Sequence, residues 1–490
     1  MFPCLSETLS LSRTGREVLL VRVEVGIRKG LPMFQILGLA SQNTKESRDR
    51  LRLALEASGF FFPLDTIIVN LDPNHRPKKV SFFDLAIAVG LLLASGQWQN
   101  PFGERLIAIG SLSLSGQVQA SGELLELLWA YPKEEDMIFL VPEELKQMRL
   151  PNAKFVFLSS LFDITQLKNT VEKKSFSFPP SIESSKKWDQ EFLTASQMKA
   201  FSGLCYSVLG RHHCLLIGNP GTGKTKLTKL VSQIQPDWQL ADFENKEVIP
   251  FTTQLTRNGE WKPRPFRKPH HTTTEQALVG GGNSLTLGEV TLAHGGILFL
   301  DELTLFKEKA IESLREPMEE KKIEHARVFQ RESFPADCTV IAALNPCPCG
   351  NYLGQKICHC SKKQIRDYLK KLSGPFLDRI TIHVHLFTNS EFRNIPIRWF
   401  DFKEKIDKAF TFRQKREKEQ NHLLEREIYD QLERMEIKLE FNKFSNRQKQ
   451  NTMQLARTIA DFNLSPTVEE QHLLEAYEFV QNSLFFEEIK

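Results

Sequence analysis

The hydrophobic pattern of this chain changes period repeatedly, and each change marks an element. Residues 17–27 (EVLLVRVEVGI) alternate around Val21, Val23 and Val25, the two-residue period of a strand with one buried face. Ser41–Ser58 places Leu51, Leu53, Ala54 and Leu55 at helical spacing, and Gly59 ends the run. Thr66–Leu71 reads as a further strand, and Ser81 to about Ser95 as an apolar helix too short to cross a bilayer. Strands are expected near Leu106–Gly110 and Met137–Val141, with a helix over Gly122–Trp129 between them. Such alternation predicts a compact α/β domain over residues 1–172. Periodicity then disappears in VEKKSFSFPPSIESSKK (Val171–Lys187), which reads as a linker, bounded at 173–191. A second α/β module is expected over 192–395. Beyond it, 396–490 is expected to be a small helical domain, charge-dominated from Phe400 to Arg434. The fold class is therefore multidomain α/β.

Composition narrows the class without naming an activity. A chain of 490 residues with 41% hydrophobic and 25% charged positions is ordinary for a globular protein of about three domains. Net charge is +4, small for this length, so nucleic-acid binding is permitted but not argued for. No apolar run approaches the ~18–20 residues of a membrane span. Met1–Arg13 lacks the basic-then-apolar order of a secretory signal. A cytoplasmic location with reduced thiols is the expectation, and no membrane partner.

The strongest chemistry lies at Cys214–Thr225, CLLIGNPGTGKT. A short strand enters a loop of the form GxxxxGK[ST]: Gly218, Asn219, Pro220, Gly221, Thr222, Gly223, Lys224 and Thr225. Small residues let backbone N–H groups turn inward around a phosphate, and the next helix presents its N-terminus to the anion. Lys224 would reach the β- and γ-phosphates of ATP, and Thr225 would hold Mg²⁺.

Further strand ends are expected at the same site. GGILFLDEL (Gly295–Leu303) is an apolar strand ending in Asp301, for the Mg²⁺ shell, and Glu302, to orient and deprotonate the attacking water. Thr339–Leu344 ends at Asn345, whose amide can position that water. Arg379 in SGPFLDRI cannot easily serve its own nucleotide and could act in trans on a neighbour's γ-phosphate. Arg457 in LARTIAD lies on a C-terminal helix able to close over the nucleotide.

These parts together resemble an AAA+ ATPase: a P-loop core with a parallel sheet and a small helical lid. The resemblance implies active sites between subunits and a ring, usually a hexamer. RPFRKPHHT (264–272), LVGGG (278–282), GEVTLAHGGILFLDEL (288–303), LNPCPCG (344–350), LSGPFLDRI and ARTIAD are similar to the Mg-chelatase-like AAA+ proteins of the ComM/YifB family, over essentially the whole chain. That family includes a DNA branch-migration motor acting in natural transformation. The resemblance thus implies DNA, single-stranded or branched, as partner. A metal-insertion motor of the magnesium chelatase type is the alternative. Within the first domain, GSLSLSGQV (110–118), GELLELL (122–128) and IFLVPEEL (138–145) look like the peptidase domain of Lon proteases. Its Ser–Lys dyad positions fall on Phe82, next to Ser81, and on Leu124, so a scaffold without peptidase activity is expected.

Two clusters remain. Cys347, Cys349, Cys358 and Cys360 form CxC…CxC, which suits a structural zinc site, with His359 as a substitute ligand or free thiols as the alternative. Arg264, Arg267, Lys268, His270 and His271 form a cationic loop suited to phosphate contact, as would a hairpin over Glu324–Phe334 presenting Lys322, His325, Arg327 and Arg331. Solvated charges or inter-subunit pairs are the alternative. SNRQKQN (445–451) keeps Arg447, but Asn451 stands where the family commonly has a basic residue.

Overall fold

The computed structural model describes residues 4–14, 17–37, 41–73, 83–120, 124–131, 137–148, 150–167, 171–174, 190–236, 263–281, 286–326, 331–352, 357–386, 395–419 and 444–481. The chain separates into two compact units, one built on Met1–Pro179 and one that includes Pro180–Trp238, Pro263–His325 and Phe334–Lys490.

The first unit is built on an eight-stranded mixed sheet. Its spatial order is Glu172–Lys174, Ala153–Leu158, Met137–Pro142, Arg105–Ala108, Cys4–Thr14, Glu17–Arg28, Thr66–Asp72 and Met33–Leu37. Val21, Val23 and Val25 are buried on one face of Glu17–Arg28, as their alternation requires. Helices Ser41–Ala57, Asp84–Ala94 and Leu124–Ala130 lie where the spacing predicts them. Leu124 is 1% exposed, whereas Ser81 and Phe82 lie outside the described residues.

The sequence reading missed the strand Cys4–Thr14, which pairs antiparallel with Glu17–Arg28 and parallel with Arg105–Ala108. Its polar residues resemble a loop, but Ser6, Thr8 and Ser10 are structural. Ser6 donates to Gly90 O at 2.7 Å and Thr8 to Ala86 O at 3.0 Å, both on the apolar helix, and Ser10 donates to Ala108 O at 2.9 Å. Each of these three hydroxyls has a partner, which offsets its desolvation. Asp84, at the start of that helix, is fully buried and accepts from Arg50 Nε at 2.7 Å. Burial pushes its carboxyl up to about 6, with Arg50 opposing the rise.

Both ends of the expected linker are strands. Glu172–Lys174 pairs with Ala153–Leu158, and Gln190–Leu193 pairs with Ile395–Arg398. Residues 175–189 lie outside the described residues.

The second unit carries five parallel strands in the order Phe266–Arg267, Ile297–Leu300, Thr339–Leu344, Cys214–Gly218 and Ile382–Leu386. The central strands are buried along their length, which is why they read as continuous apolar runs instead of alternating ones. All five point the same way, so their carboxyl ends form one edge, the edge at which such sheets bind ligands. Helices Trp399–Glu419, Asn446–Phe462 and Glu470–Gln481 form the C-terminal helical region and share a core with helix Ala195–Gly210. The charge-rich helix expected to Arg434 is described to Glu419. Among the described residues, no helix is long and apolar enough to cross a membrane.

Candidate nucleotide site

Strand Cys214–Gly218 delivers the phosphate loop to the carboxyl edge, and helix Lys224–Gln233 leaves from it. Gly223 has φ +91°, left-handed backbone that an L side chain rarely adopts, at the point where the loop turns into the helix. Lys224 Nζ donates to Gly218 O at 2.5 Å, Asn219 O at 3.0 Å and Asn345 Oδ1 at 3.1 Å. Two of the predicted residues, 121 positions apart, therefore touch. Burial pushes the Lys224 ammonium down to about 8, opposed by the charges of Asp301 and Glu302.

Thr225 Oγ1 donates to Asp301 Oδ2 at 2.9 Å, so both expected Mg²⁺ ligands are adjacent. Two hydroxyl and carboxylate oxygens beside a phosphate cradle are the hard donors that Mg²⁺ takes. Glu302 follows with φ +54° and an exposed side chain. Left-handed backbone at a non-glycine residue costs roughly 1–3 kcal/mol and tends to cluster at functional sites. Here it turns the chain out of the buried strand directly after Asp301, whose Oδ1 accepts the Glu302 N–H at 3.1 Å.

Several participants were not foreseen. Thr194 caps helix Ala195–Gly210 in a reciprocal capping box with Gln197. Gln197 Nε2 also reaches Thr222 O at 3.0 Å, fixing the phosphate loop from outside. The T-A-S-Q signature of that box was legible in the sequence. Lys268 Nζ lies 2.7 Å from Asp301 Oδ2 and 5.3 Å from the Phe299 ring centroid.

Several residues of the cationic loop expected to contact DNA have partners within the chain. Arg264 is 7% exposed and donates to Pro236 O and Gly295 O, holding backbone together. Arg267 makes a bidentate pair with Glu289 at 2.7 Å through each nitrogen. Lys268 is paired with Asp301. The rings of His270 and His271 lie against each other at a tilt of 35° with centroids 4.1 Å apart, His270 exposed. In the hairpin, Lys322–Ala326 and Arg331–Pro335 form a two-stranded sheet, and Lys322 pairs with Glu324 at 2.6 Å. His325 packs beside the Phe334 ring, 5.9 Å between centroids. Arg327 lies outside the described residues, as does the side chain of Arg331.

Arg379 is held within its own chain by Arg315 O, Pro375 O and the Glu319 carboxylate. The other oxygen of Glu319 lies 3.6 Å from Arg447 Nη1, so one carboxylate serves two arginines. Arg457, expected on a helix able to close over the nucleotide, is engaged within its own chain. It is 8% exposed and bound to Asp461 at 2.8 Å, to Pro466 O at 3.0 Å and to Ser465 O at 2.5 Å. Asp461 also accepts two bonds from Arg416 at 2.9 Å. This is a structural pair inside the helical region.

The four cysteines converge. Cys347 Sγ lies 3.4 Å from Cys349 Sγ and 3.7 Å from Cys358 Sγ; Cys349 and Cys358 are 3.6 Å apart. All four sulfurs fall within 4.8 Å of one another. Thiolates around a tetrahedral metal, each at ~2.3 Å, stand about 3.8 Å apart, so this donor set fits a metal ion.

Three family descriptions match the chain: "Magnesium chelatase, subunit ChlI" over residues 193–393, "Subunit ChlI of Mg-chelatase" over 23–145, and "Magnesium chelatase, subunit ChlI C-terminal" over 401–479. The chain is 33% identical to "Competence protein ComM" of Haemophilus influenzae, covering 95% of this chain and 96% of that protein. It is 32% identical to "Uncharacterized protein YifB" of Salmonella typhimurium, covering 94% of each. A shorter likeness, 26% over 144 residues, covers 29% of this chain and 14% of a "DNA replication licensing factor" of Drosophila melanogaster.

Proposed function

Since the chain belongs to the ComM/YifB family of Mg-chelatase-like AAA+ ATPases, we propose that it is an ATP-driven motor on DNA. Its work would be branch migration of recombination intermediates, performed by a hexameric ring. The observation that carries this reading is the full-length likeness to a protein named for competence, together with an assembled nucleotide site. Lys224 leaves the carbonyls of Gly218 and Asn219 for the β- and γ-phosphates. Thr225 and Asp301 offer oxygens to Mg²⁺, which when bound neutralises charge developing on the phosphates. Glu302 takes the proton of the attacking water, and Asn345 orients that water from the adjacent strand end. Arg379 acts on the nucleotide of a neighbouring subunit.

The remaining assignments follow in the same sense. Residues 1–172 form a Lon-like scaffold without peptidase activity, a reading supported by the buried apolar Leu124 at the lysine position. Residues 192–395 form the ATPase core and 396–490 the lid, and the cysteine cluster holds a structural zinc ion. With Arg264, Arg267 and Lys268 engaged elsewhere, DNA contact falls to His270, His271 and the hairpin. The family descriptions that match, all named for magnesium chelatase, favour the second reading of a metal-insertion ATPase.

ATP hydrolysis with and without a four-way DNA junction separates the two, with Lys224→Ala as the blank. Stimulation by the junction and its ATP-dependent conversion to two duplexes are the expected results. A robust rate indifferent to DNA would overturn the motor reading and leave the metal-insertion one.

A further inference from the structure

The segment that carries Cys347 and Cys349 touches the phosphate loop at two points. Asn345, which receives Lys224, stands two residues before Cys347 on the same strand exit. The turn beyond it closes through Gly350 N to Cys347 O at 2.9 Å. That turn presents Gly350 O to Asn219 Nδ2 at 2.5 Å. Asn219 is 5% exposed and is the hub of the loop: its carbonyl accepts the Thr222 hydroxyl at 2.9 Å and Lys224 Nζ at 3.0 Å. Gly350 has φ +76°, and a Cβ there would stand 2.6 Å from Pro220 Cδ. Only a glycine lets the cysteine turn lie against the phosphate loop.

From this contact we infer that metal held by Cys347, Cys349, Cys358 and Cys360 sets the geometry of the phosphate loop, so that metal occupancy controls nucleotide affinity. The inference rests on the reading of the cluster as a metal site and adds a coupling to it. Cys347 and Cys349 belong to the turn itself, while Cys358 and Cys360 arrive from a later segment. Without a bridging ion, only the intervening backbone joins the two pairs, and the turn that supports Asn219 loses its anchor. With the ion, Asn345 and Gly350 are fixed at both ends of one short segment. A nucleotide then finds Asn219 and Lys224 already placed, and avoids the ordering cost of arranging them. Coupling of this kind is reciprocal: bound nucleotide must tighten metal binding by the same factor.

The test uses the full-length protein without DNA. Metal content is measured first by elemental analysis. Affinity for a fluorescent ATP analogue is then measured at constant free Mg²⁺ in three states: as purified, after a zinc-selective chelator, and after zinc is restored. About tenfold weaker binding after chelation, recovered with zinc, is expected, with the thermal unfolding of the protein followed in parallel. Gly350→Ala is expected to keep its metal while weakening nucleotide binding to a similar extent, because the added Cβ meets Pro220 of the phosphate loop and all four cysteines remain. Saturating analogue should lower the zinc concentration needed for half-occupancy by the same factor. Stoichiometric metal with nucleotide affinity unchanged by chelation and by Gly350→Ala would overturn the coupling and leave the metal site standing. Purified protein that holds no metal and takes up none from sub-micromolar zinc would overturn both.

Discussion

Lys268 and Thr225 donate to the same oxygen of Asp301, the lysine at 2.7 Å and the hydroxyl at 2.9 Å. The position a divalent cation would share with Asp301 and Thr225 is therefore bordered by a tethered ammonium. Mg²⁺ has to displace that ammonium from Asp301. Lys268→Met should lower the Mg²⁺ concentration for half-maximal ATPase rate. A partly exposed ion pair is worth about 0.5–1 kcal/mol, so the shift should be roughly twofold to fivefold. A Mg²⁺ titration at saturating ATP reads it directly, and an unchanged midpoint would show that Lys268 does not compete.

The depressed Lys224 gives a pH signature. In the free protein its ammonium is held down to about 8, and phosphate charge favours the protonated form. Affinity for ATP should therefore be level below about pH 8 and fall as pH rises through it, with proton uptake on binding. Calorimetry at pH 8 in buffers of different ionisation enthalpy should detect that uptake. Binding without it would contradict the burial assigned to this lysine.

Arg379 is engaged by Glu319 and two carbonyls of its own chain, none of them at the phosphate loop. If it serves a neighbour, Arg379→Ala and Lys224→Ala should each be inactive alone, and mixing them should restore part of the activity. Mixed assemblies contain interfaces with an intact loop on one side and an intact arginine on the other. Inactive mixtures, with association shown by light scattering, would place Arg379 outside the trans role.

The burial of Asp84 makes the first unit sensitive to acid in an uncommon direction, against the opposing pull of Arg50. A carboxyl raised from 3.8 to about 6 binds more protons folded than unfolded between those values. It contributes stability that is present at low pH and lost as pH rises through about 6. The contribution changes by up to ~1.4 kcal/mol per pH unit. Asp84→Asn should flatten that slope in urea denaturation between pH 4 and 6.

Arg457 and Arg447 should differ in kind. Arg457→Ala leaves Asp461, 2% exposed, with Arg416 alone, and losing one partner of a buried pair costs about 3 kcal/mol or more. Arg447 is 41% exposed in its pair with Glu319, and Arg447→Ala should leave stability near wild type. Thermal unfolding without nucleotide distinguishes them. Equal stability of the two variants would show that the Arg457–Asp461 pair does not hold the helical region together.

The parts of the site that were legible are those written in contiguous sequence. The phosphate loop, the Asp301–Glu302 strand end and the paired cysteines each carry their chemistry within about eight residues, so spacing alone exposes them. The partners of the arginines within the chain were not legible, because a charge in sequence does not reveal what receives it. Arg264 is satisfied by two backbone carbonyls, which no side-chain pattern announces. Lys268 meets a partner 33 positions away. The strand Cys4–Thr14 was hidden for a related reason: its hydroxyls are buried against helix carbonyls, so polarity there does not mean exposure.

Strand Thr339–Leu344 runs straight into Asn345, the cysteine turn and Gly350, with no slack between them. Neighbouring residues along a strand are about 3.3 Å apart, and successive side chains face opposite ways. Deleting one residue in this segment would shift the water-orienting amide, the first two sulfurs and the carbonyl that holds Asn219 together. Length within 339–350 is thus as constrained as any side chain it carries, and divergence there is expected as substitution and not as insertion or deletion.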